Sequence, residues 1–281
     1  KVVAGPKHFA GYGAARGGRD YEDSEISDAE LNNVYLPPFR AAVEAGAGNI
    51  MSAYMDLNGV PASGNRWLLT DVLRDQFGFT GWVVSDANAV RSLAAQHFAV
   101  DLTDAGARAL DAGLDMEMTM FEPAFARLPE AIAAGQVSTE ALDAAVLRVL
   151  EAKFRLGLFE HPYVDEAAAP AVLSDPAHRE VARQAAEKTL VLLKNDGLLP
   201  LAGQHRIAVI GQLADDRRDP LGPWVFDHDV DETVTILAGL RERAGTEVEV
   251  GYAVGVRPAT RLYASMFDDM DHGLPSVAAD F

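Results

Sequence analysis

The chain has 281 residues, of which 49% are hydrophobic, so it has room for one large domain or two smaller ones with a sizeable core. Its 24 Lys and Arg residues against 42 Asp and Glu residues give a net charge of -18, which argues against a nucleic-acid backbone or an anionic membrane as partner. Cysteine is absent, which excludes a disulfide scaffold, a thiolate metal site and a cysteine nucleophile.

Strand and helix signals alternate four times over residues 1–157. The predicted strands are residues 1–9, 48–54, 81–86 and 114–118. The predicted helices are residues 27–46 with a restart at Pro37-Pro38, then 68–77, 102–112, 123–134 and 139–156, and residues 56–65 are predicted to form a loop. This alternation predicts parallel strands with right-handed crossovers, in half of an eight-stranded barrel or in a small doubly wound sheet. The two closing helices favour a barrel whose earlier strands precede Lys1.

A second α/β unit is predicted after a proline-containing linker. We expect residues 1–157 to be the C-terminal half of a (β/α)8-type barrel, residues 158–175 the linker and residues 176–281 the start of a further domain. The predicted elements of this unit are a helix over 176–188, a strand or helix end over 190–193, strands over 207–211 and 248–252, and a helix over 234–244. The tail, residues 258–281, has no clear periodicity, and no run of about 18 apolar residues predicts a membrane span.

Polar side chains end three successive predicted strands. Lys7 and His8 end the first, Tyr54 the second and Asp86 the third. Each alone has an ordinary explanation: a surface lysine beside a packed histidine, a core aromatic with a hydrated hydroxyl, and an Asx turn or N-cap. In a parallel barrel all three strand ends meet at the same rim, where active sites are found. The coincidence therefore predicts one shared site.

Longer motifs carry a family resemblance. They are Lys7-His8-Phe9-Ala10-Gly11-Tyr12-Gly13, Gly17-Gly18-Arg19-Asp20-Tyr21, Tyr35-Leu36-Pro37-Pro38-Phe39, Ile50-Met51-Ser52-Ala53-Tyr54, Asn58-Gly59, Gly78-Phe79, Val84-Ser85-Asp86, Asp111-Ala112-Gly113-Leu114-Asp115-Met116-Glu117-Met118 and Leu192-Leu193-Lys194-Asn195. In this order they resemble glycoside hydrolase family 3, and within it the bacterial periplasmic or secreted β-glucosidases.

The resemblance implies an α/β fold, a partial TIM-like (β/α) barrel followed by the start of an α/β sandwich domain, with an active site between them. It implies a retaining, exo-acting β-glycoside hydrolase that releases the non-reducing terminal sugar through a covalent glycosyl-Asp intermediate. Asp86 falls on the nucleophile, Lys7, His8 and Tyr54 on residues that hold the terminal sugar, and Arg19 on a substrate-contacting arginine. The implied substrates are β-linked glucosides or short oligosaccharides. No cofactor is implied, the implied location is periplasmic or secreted, and a homodimer is compatible with it.

The chain departs from the family pattern at two points. Ala87 replaces the Trp that often follows the nucleophile, which removes an aromatic wall from the sugar site. The family's acid/base Glu is not recognisable before Phe281, and Glu117 is expected to be structural, so we expect this chain to be part of a longer protein. β-Xylosidase, β-N-acetylhexosaminidase and a non-catalytic sugar-binding fragment remain alternatives. The absence of His from residues 11–24 counts against the hexosaminidase.

An alternating acidic stretch resembles the start of a calcium loop. Asp227, Asp229 and Asp231 have the required spacing, but Glu232 occupies the position where that loop needs Gly. We therefore predict a solvated acidic loop and no metal site.

Overall fold

The computed structural model describes residues 2–201, 203–222, 224–225 and 229–256. Lys1, Asp227 and the tail residues 258–281 lie outside the described residues. The chain divides into two compact units, Lys1–Leu173 and Ser174–Phe281. No helix in the described part of the chain has the length and apolar character that a bilayer span requires.

Parallel strand pairing organises the first unit. Its strands are β1 (Asn49–Met51), β2 (Asp56–Leu57), β3 (Val60–Pro61) and β4 (Trp82–Val84). Strands β1 and β4 pair in parallel, with Ile50 opposite Val83, as the alternating pattern predicts. Strands β2 and β3 form a small antiparallel hairpin within residues 56–65, so the prediction of a simple loop was wrong there.

An extended segment flanks β1. Phe9 forms a single parallel bridge to Ser52, and its N–H donates to the carbonyl of Met51 at 2.8 Å. The strand predicted over residues 1–9 is therefore reduced to one bridge. Pro6 explains part of this, because it accepts from the Met51 N–H at 3.2 Å but has no N–H to return.

The segment beside β4 is also only bridge-paired. Met116 bridges Val84 in parallel, whereas the prediction placed a full strand over residues 114–118. The N–H groups of Asp115 and Met116 both donate to the carbonyl of Val83, at 2.9 and 3.1 Å. The Val83 N–H donates to the Asp115 carboxylate at 2.8 Å. This side-chain hydrogen bond takes the place of a backbone hydrogen bond between the two segments. Four extended segments thus lie side by side in chain order.

Helices connect and follow these segments. They are α1 (Asp28–Glu30), the π-helix Leu31–Tyr35, α2 (Pro37–Glu44), the π-helix Trp67–Gln76, α3 (Ala89–Ala95), α4 (Leu102–Ala112), α5 (Leu128–Ala133), α6 (Thr139–Leu156) and α7 (Ala169–Leu173). Short 3-10 turns cover Tyr12–Ala14, Arg16–Gly18, Ala62–Gly64, Ala124–Arg127 and Glu166–Ala168. The predicted helices are confirmed, whereas α3 and α7 are elements that the sequence pattern did not reveal, the latter within the predicted linker.

The core of the first unit lies where the four extended segments meet. Each contributes a large apolar side chain that is fully buried, namely Phe9, Ile50, Val83 and Leu114. The ring of Phe9 also packs edge-on against Phe39, with the ring centroids 5.0 Å apart. The segments are thereby fixed close to their carboxyl ends, where the polar residues lie.

The second unit has a parallel strand pair with helices. Its elements are α8 (Pro176–Thr189), β5 (Arg206–Ile210), α9 (Ile236–Ala244) and β6 (Glu249–Ala253), with 3-10 turns at Gln212–Asp215, Asp219–Leu221 and Val230–Glu232. These elements confirm the predicted helices and strands within a residue or two. Residues 190–193 are exposed and have no regular structure, so the alternative of a buried strand or a helix end was wrong. Helix α8 ends at Thr189, and the backbone turns extended at Leu190.

Candidate active site

Asp86 lies two residues beyond the end of β4. The preceding residue, Ser85, fixes this turn, because its N–H donates to the carbonyl of Met116 at 2.9 Å and its hydroxyl accepts from the Met118 N–H at 2.9 Å. The Asp86 side chain is 13% exposed, so its carboxylate is mostly buried but reaches solvent. The strand end thus presents a carboxylate at the rim of the parallel segments.

Two predicted site residues contact this carboxylate. His8 Nε2 lies 3.0 Å from Asp86 Oδ2, and the Tyr54 hydroxyl lies 3.0 Å from Oδ1. The Ala87 N–H also donates to Oδ1 at 2.7 Å, and the Tyr54 hydroxyl shares its proton with the Ala87 carbonyl at 2.8 Å. Side chains from three separate strand ends therefore meet, as the sequence predicts.

Burial sets the protonation states of the two donors. It lowers the pKa of His8, an effect that the charge of Lys7 reinforces and that of Asp86 opposes. A neutral His8 must therefore be the tautomer with its proton on Nε2, because Nε2 is the atom that donates to Asp86. Burial and the nearby charge of Asp86 raise the pKa of Tyr54, so its hydroxyl stays protonated as a donor.

The other two predicted residues are less closely joined to the carboxylate. Lys7 is exposed beside His8, and its charge acts on the imidazole. Arg19 is exposed and binds Glu22, with Nε and Nη2 both 3.2 Å from the Glu22 carboxylate. Their contacts with a sugar remain predictions.

Two tyrosines complete the surroundings, and the pattern of strand ends did not indicate them. The Tyr12 ring lies 4.9 Å from the His8 ring, and the Tyr21 ring packs edge-on against Tyr54 with centroids 4.8 Å apart. The Tyr12 hydroxyl donates to Asp20 in a short hydrogen bond. Both tyrosines belong to the glycine-rich segment after Lys7-His8-Phe9, whose position a strand pattern does not predict.

A buried ion cluster lies on the next segment. Asp115, with 1% of its side chain exposed, binds Arg74 at 2.5 Å through Oδ2 and Arg148 at 2.7 Å through Oδ1. It also accepts from the Val83 N–H. Burial lowers the pKa of Arg74, and the Asp115 charge counteracts this. The cluster ties the π-helix Trp67–Gln76 and α6 to β4, the strand that precedes Asp86.

Three acidic residues that the sequence singles out, Glu117, Asp229 and Asp231, make local structural contacts. Glu117 accepts from the N–H groups of Ala124 and Phe125 at 3.1 and 2.8 Å, as expected of a structural residue. Asp231 binds Arg217 at 3.0 Å, and its N–H donates to Asp229. Within the described ranges, no three His, Cys, Asp or Glu side chains gather in a way that would hold a metal ion.

Family models match both parts of the chain. The glycosyl hydrolase family 3 N-terminal domain matches residues 1–152, and the glycosyl hydrolase family 3 C-terminal domain matches residues 190–277. The chain belongs to glycosyl hydrolase family 3. Family 3 solved structures have the same α/β fold class, which confirms the class predicted from sequence.

Several relatives in family 3 have names that describe glycosidases. A periplasmic β-glucosidase from Salmonella typhimurium is 40% identical over 264 residues, covering 90% of this chain and 34% of the relative. A β-xylosidase from Formosa agariphila is 38% identical over 269 residues, covering 90% of this chain and 37% of the relative. The crystal structure of the Listeria innocua β-glucosidase with glucose matches with a TM-score of 0.81 at 38% identity, and the match covers 90% of this chain and 35% of the Listeria chain. The chain spans about a third of the length of the relatives that it matches.

Proposed function

We propose that this chain carries the nucleophile and part of the sugar site of a retaining, exo-acting β-glycoside hydrolase of the β-glucosidase type. One observation supports this most directly: the Asp86 carboxylate lies at a strand end with His8 and Tyr54 each 3.0 Å away. Among the described residues, His8 is the single donor to Oδ2, whereas Oδ1 has two potential donors, the Tyr54 hydroxyl and the Ala87 N–H. Oδ2 is thus the oxygen with a lone pair to offer an anomeric carbon.

The first step of the proposed mechanism is glycosylation of Asp86. A carboxylate oxygen forms a bond to the anomeric carbon while the glycosidic C–O bond breaks, and the leaving oxygen takes the bonding electron pair. That oxygen needs a proton from a general acid. His8 and Tyr54 both direct their protons at Asp86, so a further group must supply it, in a retaining enzyme about 5–5.5 Å from the nucleophile.

The second step is hydrolysis of the glycosyl-Asp86 ester. Water adds to the anomeric carbon, the ester C–O bond breaks, and the carboxylate leaves with the electron pair while the acid/base group takes the water proton. The oxocarbenium-like transition states carry positive charge on the sugar, which favours a nearby carboxylate. His8 and Tyr54 hold that carboxylate in position for both steps.

The remaining assignments extend this proposal. Lys7, and also Arg19 after a change of partner from Glu22, would donate hydrogen bonds to hydroxyls of the terminal sugar. The domain assignment is a barrel half over residues 1–157, a linker over 158–175 and the start of an α/β sandwich over 176–281. A periplasmic or secreted location is supported by the name of the Salmonella relative. β-Linked glucosides or short oligosaccharides are the proposed substrates.

A β-xylosidase is the second candidate, favoured by the Formosa relative. Glucosides and xylosides differ by one hydroxymethyl group on the sugar, so the two activities share the chemistry at Asp86. Comparing kcat/KM for nitrophenyl β-glucoside and β-xyloside distinguishes them.

Trapping the intermediate tests the nucleophile. A 2-deoxy-2-fluoro-β-glucoside with a dinitrophenyl leaving group should inactivate the full-length protein and add one sugar to Asp86, found by peptide mass spectrometry. Asp86→Ala should abolish turnover, and azide should restore it with an α-glucosyl azide product. An adduct on another residue, or an active Asp86→Ala variant, would refute the assignment. Glucose binding without turnover of an aryl glucoside would identify a sugar-binding protein instead.

A further inference from the structure

Tyr21 lies at the edge of the candidate active site with much of its side chain open. It is 60% exposed, although its ring packs edge-on against Tyr54, the residue that contacts Asp86. Burial raises the pKa of Tyr21, and the charges of Asp20 and Asp86 add to the effect. The Tyr21 ring is thus positioned by its contact with Tyr54, while its exposed surface is available to a ligand.

The backbone at Tyr21 is unusual. Its φ is 67°, in the left-handed region that few residues other than glycine, asparagine and aspartate adopt. A bulky residue there is strained, and such strain is concentrated at functional positions. Asp20 holds the conformation in part, since its carboxylate accepts from the Tyr21 N–H at 3.1 Å and from the Tyr12 hydroxyl.

The segment that carries Tyr21 is anchored on the hairpin β2–β3. The Ser24 N–H donates to the carbonyl of Asp56 at 2.9 Å, and the Asn58 side chain accepts from the Ile26 N–H at 2.8 Å. The Arg16 N–H closes the segment on the Asp23 carbonyl at 2.9 Å. The ring position is therefore set by main-chain contacts rather than by its own packing alone.

We propose that Tyr21 determines sugar affinity in this active site, with its ring packed against a C–H face of the pyranoside bound at Asp86. This inference rests on the proposed function. A pyranoside ring combines polar hydroxyls with apolar C–H surface, so it needs both hydrogen-bond donors and an aromatic surface. Lys7 and Arg19 are the proposed donors to the sugar hydroxyls, and the small side chain of Ala87 offers no ring on its side of the carboxylate.

Three substitutions separate the ring from the backbone. Tyr21→Asn and Tyr21→Gly remove the ring but tolerate a positive φ, whereas Tyr21→Phe keeps the ring and removes the hydroxyl. In the full-length protein we expect Asn and Gly to lower kcat/KM for an aryl glycoside about tenfold, mostly through KM, with Phe close to wild type. The dissociation constant of glucose, measured by calorimetry, should rise by a similar factor.

Tyr163→Asn is the matched control, because Tyr163 is 90% exposed, and it should change neither quantity. Wild-type affinity and KM in both the Asn and Gly variants would overturn the proposal. So would a Phe variant as impaired as Gly, since the hydroxyl would then carry the effect. Calorimetry needs no turnover, so an inactive wild type that binds glucose refutes the enzyme assignment while still testing Tyr21. A wild type that binds no glucose but turns over an aryl glycoside tests Tyr21 through KM, and a wild type that does neither overturns both.

Discussion

Replacing Asp115 by Asn tests whether the buried ion cluster supports β4, the strand that precedes Asp86. The substitution keeps the shape of the side chain but leaves the guanidinium groups of Arg74 and Arg148 without a counter-charge. Asn also turns one acceptor into an N–H₂ donor that must face either an arginine or the Val83 N–H. Breaking a buried ion pair by removing one partner costs about 3–5 kcal/mol, and the near-complete burial of Asp115 supports this range.

The expected loss is large enough to measure by thermal unfolding. For a unit of 173 residues, about 2–4 °C per kcal/mol predicts that the unfolding midpoint falls by roughly 6–20 °C. Asp111→Asn is the matched control, because Asp111 is 64% exposed and lies 3.8 Å from Arg66, so it should change stability by less than about 1 kcal/mol. Equal midpoints for the two variants would show that the cluster contributes no more than a surface pair, and the reasoning would fail.

Two further perturbations concern the parallel segments. Because burial lowers the pKa of His8 below 6.5, the unfolded state binds more protons at mildly acidic pH. The stability of the wild type relative to His8→Asn should therefore be constant above pH 6.5 and fall as pH decreases through 6.5 towards the lowered pKa. Urea unfolding of both proteins measures this difference in the free energy of unfolding, and a difference that does not change with pH would contradict the prediction. Gly81→Ala should destabilise the protein strongly, since a Cβ there would lie 2.1 Å from the Gly48 carbonyl oxygen. Gly13→Ala is the control, because its Cβ meets open space and the substitution should be nearly neutral. Circular dichroism melts of the two variants would check this.

Capping residues explain which helices were predictable. Helix α4 begins after Asp101, whose carboxylate accepts from the Asp104 N–H, and ends at Gly113 in the left-handed conformation. Helix α6 has the same signals in Ser138 and Gly157. Helix α3 follows Asn88, which has a positive φ and caps no N–H with its side chain, so no sequence signal marked its start.

Tertiary contacts explain what the sequence could not predict in the candidate site. The strand-end rule brings His8 and Tyr54 to Asp86, because parallel segments place their carboxyl ends together. Tyr12 and Tyr21 reach the candidate site through a loop, and the course of this loop depends on hydrogen bonds to the hairpin β2–β3, whose strands have two residues each. Neither short strand has a periodicity long enough to detect, so the aromatic half of the site was missed.

Two aspartates at neighbouring segment ends have opposite environments, and this difference supports assigning the nucleophile to Asp86. Asp115 is buried and neutralised by two arginines, so its negative charge is already balanced and no substrate can reach it. Asp86 reaches solvent, and the described side chains that bind its carboxylate are Tyr54 and His8, whose lowered pKa keeps the imidazole neutral. Its negative charge is therefore positioned without being cancelled. A carboxylate in that state can both stabilise an oxocarbenium-like transition state and form a bond to the anomeric carbon.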